Sequence, residues 1–211
     1  MIKFCIKQIL VLAALGWAIG FLASDTITNL ALLKEGDIIF QETNSEQAKA
    51  IQLATHSRYT HVGILFKQNN TMMVFEAVQP VKITPLADFI KRGVDAHFVI
   101  KRLKNTNVIL NKENIAKMKM IGKSYLGKNY DMYFEWSDEK IYCSELVWKI
   151  YKKALNIEVG KLTKLKDFDL SNSYVKNLMK KRYGKHSPLN ELVISPEAIY
   201  QADNLVNVMK H

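Results

Sequence analysis

The segment IYCSELVW, residues 141–148, is the most informative stretch of this 211-residue chain. It contains Cys143 at the point where a loop is predicted to become a helix. Free backbone N–H groups and the positive end of the helix dipole stabilise a thiolate at such a position, and the thiolate is the nucleophilic form of cysteine. The same N–H groups can hold an oxyanion after sulfur attacks a carbonyl carbon. The segment therefore predicts a nucleophilic cysteine.

The predicted helix runs to about residue 155 and places Cys143 on an apolar stripe. The other members lie at offsets of three, four, seven and eleven residues, and they are Leu146, Val147, Ile150 and Ala154. A buried structural cysteine is therefore the alternative interpretation, because cysteine is a common small core residue. The stripe also directs the thiol toward the sheet on which the helix packs.

The composition indicates one globular domain. Hydrophobic residues make up 48% of the chain and charged residues 24%, and no repeat or linker-rich tract divides it. The net charge of +10 comes mainly from scattered lysines. These predict a solvated basic surface, or a loose attraction to anionic lipid or cell-wall polymer. No nucleic-acid partner is expected, because no DNA- or RNA-reading motif is present.

Residues 1–24 resemble a targeting segment. Two lysines and no acidic residue precede the apolar stretch Ile9–Ala23, as in secretory signals. We therefore expect an exported protein of the bacterial periplasm or cell envelope, with a functional domain at residues 28–211. An uncleaved N-terminal anchor, close to the membrane, is the alternative. Cleavage would leave Cys143 as the sole cysteine, so no disulfide is expected.

Two alternating runs predict a β-hairpin. Thr60–Phe66 and Met72–Val78 are rich in β-forming residues, and the polar link between them contains Asn69-Asn70. Asparagine tolerates the positive φ of a two-residue turn. With that turn, residues whose numbers sum to 139 face each other.

The hairpin brings two polar side chains together. His61 would lie opposite Val78, with Glu76 as its diagonal neighbour on the same face, roughly 7 Å away between backbones. A carboxylate there can fix the tautomer and orientation of the imidazole. Two alternatives stay open. His61 and Glu76 can be ordinary strand residues facing solvent, and a three-residue loop would turn Glu76 to the other face.

The remaining elements predict the α+β class with an antiparallel sheet, because strands dominate early and helices late. Gly36–Phe40 and His97–Leu103 are predicted strands. The other predicted helices begin with a capping box at Thr43–Glu46, with a Thr84-Pro85 start, at Asn111, at Ser171 and at Ser195-Pro196. The basic region 158–190 is a candidate cleft wall or oligomer contact, and the oligomeric state, including a dimer, is left open.

Two tyrosines near the cysteine are candidate oxyanion- or substrate-binding residues. Tyr130 precedes the predicted helix, and its phenol can donate a hydrogen bond to an oxyanion beside the Cys143 N–H. An aromatic core residue with a solvated hydroxyl is the alternative for Tyr130. Tyr142 directly precedes the cysteine. No metal or other cofactor is expected, since HExxH, CxxC, His-rich and Gly-rich phosphate motifs are all missing from the sequence.

Four ordered motifs closely resemble those of the YiiX-type family, which are circularly permuted papain-fold amidases related to the NlpC cell-wall peptidases. They are THSRYTHVG at residues 55–63, VFEAV at 74–78, LGKNYD at 126–131 and YCSELV at 142–147. The resemblance extends from about Gly36 to Ser195-Pro196. It implies a permuted papain-like α+β fold in which histidine and its polar partner precede the cysteine.

The resemblance also implies roles for individual residues. Cys143 would be the nucleophile, His61 the general base and then acid, and Glu76 the orienting residue, while Tyr130 matches an oxyanion-hole tyrosine only approximately in position. Amides are the implied substrates, including peptide-like bonds of murein fragments. A lipid acyl hydrolase or transferase of the same fold is the enzymatic alternative. A non-catalytic binding module is the alternative to an enzyme. The presence of Cys143, His61 and Glu76 argues against it, because a binding module would be free to lose them.

Overall fold

A six-stranded antiparallel sheet forms the centre of the protein in a computed structural model, which describes residues 31–211. The strand order is β4-β3-β2-β1-β5-β8. The strands are β1 (Ile38–Gln41), β2 (His61–Gln68), β3 (Thr71–Glu76), β4 (Lys82–Pro85), β5 (Phe98–Leu103) and β8 (Leu205–Lys210). β6 (Thr163–Lys164) and β7 (Leu192–Val193) pair separately. The predicted signal or anchor at residues 1–24 lies outside the described residues.

Seven α-helices accompany these strands within the described range. They are α1 (Glu46–Thr55), α2 (Leu86–Arg92), α3 (Thr106–Ile109), α4 (Lys112–Lys123), α5 (Cys143–Leu155), α6 (Ser173–Tyr183) and α7 (Pro196–Tyr200). Among residues 31–211, none of the helices has the length and apolar character needed to cross a bilayer. The predicted α+β class with an antiparallel sheet is confirmed.

Helix α5 packs against α4 and against strands β2 and β3. Its stripe residues Leu146, Val147 and Ile150 are fully buried in the shared core. The predicted stripe is therefore confirmed, and it brings the first turn of α5 to the sheet at the beginning of β2.

The β2–β3 hairpin has the predicted register. Ile64 pairs with Phe75 and Leu65 with Val74, and both residues of the Asn69-Asn70 turn have positive φ, 48° and 60°. Since the side-chain period of a strand is two, this register decides which side chains share the face of His61.

Gly63 lies on the same face of β2 as His61. A Cβ atom at this position would lie 2.5 Å from Val74 Cγ1 and 3.0 Å from the Phe75 carbonyl oxygen. Both distances are too short for a side chain to fit without displacing the neighbouring strand. Glycine therefore allows β2 and β3 to approach closely beside the His61–Glu76 pair.

The predicted capping box at Thr43–Glu46 is wrong. The N-cap of α1 is Ser45, whose hydroxyl accepts a hydrogen bond from the Ala48 N–H. The Thr43 hydroxyl instead shares a 3.0 Å hydrogen bond with that of Thr60. Long-range pairing of the threonine thus replaces the local cap.

The start of α2 also differs from the prediction. The helix begins at Leu86, Pro85 is its N-cap residue without a side-chain cap, and Thr84 belongs to strand β4. The Thr84 hydroxyl donates a hydrogen bond to the Glu76 carboxylate. The threonine therefore serves the buried acid on the neighbouring strand and does not cap the helix.

Candidate active site

His61 and Glu76 form a buried hydrogen-bonded pair on the sheet. His61 is the first residue of β2 and Glu76 the last of β3, and the distance between His61 Nε2 and Glu76 Oε2 is 2.6 Å. Their exposed fractions are 7% and 0%. The ring of Phe89 stacks on the imidazole at 5.6 Å between centroids. The diagonal contact predicted from the hairpin is therefore present, and it leaves Nδ1 for a second partner.

The Glu76 carboxylate is fixed by two further donors. Its Oε1 accepts a hydrogen bond of 2.5 Å from the Thr84 hydroxyl, and its Oε2 accepts one from the Arg92 guanidinium. Burial by itself raises the pKa of this acid, but the hydrogen bonds from His61, Arg92 and Thr84 lower it to about 2. Glu76 is therefore ionised at neutral pH.

Cys143 is the first residue of α5, and its side chain lies in hydrogen-bond contact with His61. The backbone N–H groups of Val62 and Ser144 also lower the pKa of the thiol. Burial alone would raise the pKa of the thiol, but the imidazole and the two N–H groups outweigh it, so that the pKa is lowered. These contacts favour the thiolate form of the sulfur in a site with only 2% exposure.

The imidazole carries the complementary charge. Burial lowers the His61 pKa, but the hydrogen bonds and charges of Cys143 and Glu76 raise it to about 9. With Glu76 at Nε2, the second N–H of an imidazolium faces the sulfur. The arrangement between a helix start and a carboxylate favours a thiolate–imidazolium pair, which is the protonation state that a cysteine nucleophile requires.

The start of α5 is rigidly held. The Tyr142 N–H donates to Glu145 Oε2 at 3.4 Å, which satisfies the N–H of the N-cap residue, and Glu145 Oε1 lies 2.7 Å from the Lys149 ammonium nitrogen. Glu145 is fully buried, and its burial raises its pKa to about 7 despite the lysine. These contacts fix the first helical turn, and with it the direction of the Cys143 side chain.

Tyr130 also reaches the sulfur. Its hydroxyl is in hydrogen-bond contact with the Cys143 side chain, and its oxygen accepts a hydrogen bond of 2.8 Å from Gln47 Nε2. Gln47 Oε1 in turn accepts one of 3.2 Å from the Arg182 guanidinium. Because Gln47 occupies the phenol oxygen as a donor, the Tyr130 proton is directed at the sulfur. Four residues from three helices and a loop therefore form one chain of hydrogen bonds.

The Tyr142 phenol is placed elsewhere. Its oxygen accepts a hydrogen bond of 3.2 Å from the Ile194 N–H, and its ring stacks edge-on against Phe134. The Ser144 hydroxyl donates to the Ile194 carbonyl at 2.7 Å. Of the five sequence-predicted residues, the structure brings Cys143, His61, Glu76 and Tyr130 together. The Tyr142 phenol joins the α5 start to Ile194, the residue after β7, and Tyr142 lines the cavity beside Cys143.

Two cavities meet at these residues. The first has a volume of about 110 Å³ beside Cys143 and Tyr130 and is almost entirely apolar, with walls from α1, α6 and the segments around Leu165 and Val193. The second, of about 390 Å³, lies on the His61 side and includes Thr43, Ser45, Thr60 and Arg92. An apolar and a more polar cavity thus lie on the two sides of the sulfur–imidazole contact.

Four supporting residues were not predicted from the sequence, namely Gln47, Thr84, Arg92 and Arg182. Each acts on a residue between 8 and 135 positions away in the chain. Among the described residues, no group of three or more His, Cys, Asp or Glu side chains is arranged to hold a metal ion. The Glu76 carboxylate, the His61 imidazole and the Cys143 thiol do not converge on one point, because His61 lies between the other two.

Comparison with known proteins gives a consistent assignment. A family model described as permuted papain-like amidase enzyme, YaeF/YiiX, C92 family, matches residues 32–209. "Uncharacterized protein YiiX" of Escherichia coli strain K12 is 49% identical over 175 residues, which are 83% of this chain and 85% of that protein. A crystal structure described as metalloprotein yiiX from Escherichia coli O157:H7 has a TM-score of 0.81 at 49% identity, over 84% of this chain and 97% of that one. The chain therefore belongs to the YaeF/YiiX family of permuted papain-like amidases.

Proposed function

We propose that this protein hydrolyses amide bonds through an acyl-enzyme on Cys143, with His61 as acid and base and Glu76 as the residue that orients the imidazole. The observation that carries the proposal is the buried His61–Glu76 contact of 2.6 Å beside a thiol whose pKa is lowered. A structural cysteine needs none of these contacts. The intact set also argues against a non-catalytic binding module.

The first half-reaction follows from the geometry. The Cys143 thiolate attacks the carbonyl carbon, and the carbonyl π electrons move to oxygen. The Cys143 backbone N–H at the helix start and the Tyr130 hydroxyl are the donors for that oxyanion. The carbon–nitrogen bond then breaks as the His61 imidazolium gives its Nδ1 proton to the departing amine. The product is a thioester on Cys143, an amine and a neutral imidazole.

The second half-reaction restores the enzyme. The neutral imidazole of His61 takes a proton from water as the water oxygen attacks the thioester carbon. Collapse of this intermediate releases a carboxylic acid and regenerates the Cys143 thiolate beside the imidazolium. Glu76 remains ionised throughout, because hydrogen bonds from His61, Arg92 and Thr84 lower its pKa. Its role is to hold the ring in the tautomer that both steps require.

Hydrolysis or transfer of lipid acyl groups is the second candidate, and the apolar cavity supports it. The acyl group is the part of the substrate that becomes attached to sulfur, and the cavity beside Cys143 is lined by apolar side chains of α1 and α6, including Ile51, Val175, Leu178 and Met179. An aliphatic acyl chain would be desolvated there, whereas a murein peptide would bring polar groups into an apolar cavity.

The name of the E. coli structure raises the question of a metal. In this chain His61 uses one ring nitrogen for Glu76 and the other for Cys143, so the donors at the site are already paired with one another. Among residues 31–211 no other cluster offers three ligating side chains. The residues do not fit a metal ion, and no step of the mechanism above is routed through one.

The cellular setting is also part of the proposal. The signal-like residues 1–24 support export to the periplasm or cell envelope, where murein fragments and lipids are both available as substrates. Cleavage of the segment and retention as an anchor are distinguished by N-terminal sequencing of the exported protein. The proposed chemistry is the same in either case.

A substrate panel tests the proposal. Wild-type protein and Cys143→Ala are offered murein fragments, simple peptide amides and acyl esters of increasing chain length, with product release followed by mass spectrometry. We expect Cys143-dependent cleavage of amides. Cys143-dependent release of fatty acid without cleavage of any amide would replace the amide proposal by the lipid one. Equal rates for wild type and Cys143→Ala on every substrate would exclude both.

A further inference from the structure

Helix α6 has two distinct faces. Val175, Leu178 and Met179 line the apolar cavity beside Cys143. The opposite face carries the exposed side chains of Lys176 and Lys180. The helix therefore separates the cavity from solvent with a single layer of side chains, and its outer surface is basic.

The chain around α6 extends this basic surface. Five basic residues and no acidic residue lie between Asp169 and Glu191, and the five are Lys176, Lys180, Lys181, Arg182 and Lys185. Of these, Arg182 is engaged with Gln47. Lys181 lies 3.6 Å from Glu46, with side chains 75% and 72% exposed. So exposed an ion pair is weak and screened by salt. Most of the positive charge is therefore available to a partner.

Two exposed leucines stand beside these lysines. Leu189 is 42% exposed and Leu192 is 43% exposed. Leu192 pairs with Lys164 across the β6–β7 ladder, and the Leu189 carbonyl accepts a hydrogen bond from the Lys166 N–H. Both lysines have exposed side chains. Apolar side chains bordered by lysines are the composition of a surface that rests on an anionic bilayer, where the apolar groups enter the interface and the lysines meet the headgroups.

We propose that this basic surface, formed by the outer face of α6, residues 184–192 and β6, docks the protein on an anionic lipid bilayer. Charge complementarity selects the anionic lipid, and the exposed leucines select a bilayer over a soluble polyanion. Helix α6 also forms a wall of the apolar cavity, together with Leu165 and Val193, which directly follow β6 and residues 184–192. Docking would therefore bring the apolar cavity next to the lipid phase. The proposal concerns binding and does not depend on the chemistry of Cys143.

Vesicle sedimentation of the full chain tests this inference. Wild type is compared on phosphatidylcholine vesicles and on vesicles with roughly one-third phosphatidylglycerol, at about 0.1 M salt. The charge variant is Lys176→Gln/Lys180→Gln/Lys185→Gln. Its matched control is Lys104→Gln/Lys112→Gln/Lys123→Gln, which removes the same charge from exposed residues at the end of β5 and on α4. The same N-terminal segment is present in every protein, so its contribution is common to all of them.

We expect wild type to prefer the anionic vesicles and the charge variant to lose at least tenfold in partition coefficient, while the control changes less than threefold. Leu189→Asn/Leu192→Asn is also expected to weaken vesicle binding, with thermal melting to show that each variant is folded. An equal loss in the control would refute the basic surface. A leucine variant that binds vesicles like wild type would refute the bilayer and favour a soluble polyanion. Because vesicle binding is measured without substrate, its failure is distinct from failure of the proposed hydrolysis.

Discussion

Replacing Glu76 with glutamine removes the charge behind His61 and keeps the shape of the side chain. The rise of the His61 pKa from 6.5 to about 9 corresponds to about 3 kcal/mol of preference for the imidazolium. Cys143 contributes more to this rise than Glu76 does. We therefore assign about 1.4 kcal/mol, a factor of ten, to the carboxylate. In the Glu76→Gln variant the thiolate–imidazolium pair should be about tenfold less populated relative to the neutral pair.

Two assays measure this change. The rate of iodoacetamide alkylation of Cys143 at pH 7 should fall about tenfold, because less thiolate is present. In wild type, kcat/KM should fall as the pH rises through about 9, where the imidazolium loses its proton. In Glu76→Gln this alkaline limb should move to lower pH by about one pH unit. Glu139→Gln, which removes an exposed carboxylate, is the matched control.

The same substitution has a cost in stability. The Glu76 pKa of about 2, against an ordinary value of 4.5, means that its ionised form stabilises the fold above pH 4.5 and that this stabilisation is lost as the pH falls through about 2. We expect the variant to be less stable at neutral pH by up to about 3 kcal/mol, which a domain of ordinary stability tolerates. A folded Glu76→Gln protein whose alkaline limb stays at pH 9 and whose alkylation rate is unchanged would refute the orienting role of Glu76.

Three further predictions follow from individual contacts. Tyr130→Phe should lower kcat by about 10²-fold with a smaller change in KM, since the hydroxyl would act on the oxyanion; a kcat within twofold of wild type would remove Tyr130 from the site. Gln47→Ala should lower kcat by about tenfold by releasing the Tyr130 hydroxyl, and should have no further effect in the Tyr130→Phe background, so additive losses would contradict the hydrogen-bond chain. Gly63→Ala should lower the free energy of unfolding by about 1–3 kcal/mol in denaturant titrations, because its Cβ would lie 2.5 Å from Val74 Cγ1; unchanged stability would show that β3 moves freely at this point.

The parts of the site that depend on local pattern could be predicted from the sequence. Asn69-Asn70 indicates a two-residue turn, the turn fixes the register of the hairpin, and the register places Glu76 beside His61. In the same way, the stripe that Cys143 shares with apolar residues orients the thiol toward the sheet. In each case a short-range rule, either the strand period or the helix period, decides where a side chain points.

The supporting residues could not be predicted, because tertiary packing decides their partners. Arg92 ends a helix whose approach to Glu76 depends on how α2 packs against β3 and β4. Gln47 and Arg182 are 135 positions apart. The Tyr142 phenol also has a distant partner, because its oxygen bonds to the Ile194 N–H 52 positions away, and its oxyanion- or substrate-binding role stays a prediction. A helix N-cap residue has an extended backbone, here with φ of −100° and ψ of 167°, and its side chain leaves the helix in another direction.

Strand β8 was also missed. Leu205–Lys210 is an edge strand in which Leu205 is buried while Val206 and Lys210 are exposed. Its pairing with β5 contains an irregularity at Ile100–Lys101. A strand with few buried residues and an interrupted ladder has little of the period-two pattern on which a sequence-based prediction depends.

The central claim is that Cys143 is a thiolate because His61 is protonated beside it. The most direct measurement is the pH dependence of Cys143 alkylation in wild type and in His61→Asn, with peptide mapping to separate Cys143 from Cys5. The account predicts that wild-type Cys143 alkylates with an apparent pKa well below the ordinary thiol value of about 8.5, and that His61→Asn moves it to or above that value. Identical profiles for the two proteins, each rising only near the pKa of a free thiol, would contradict the account.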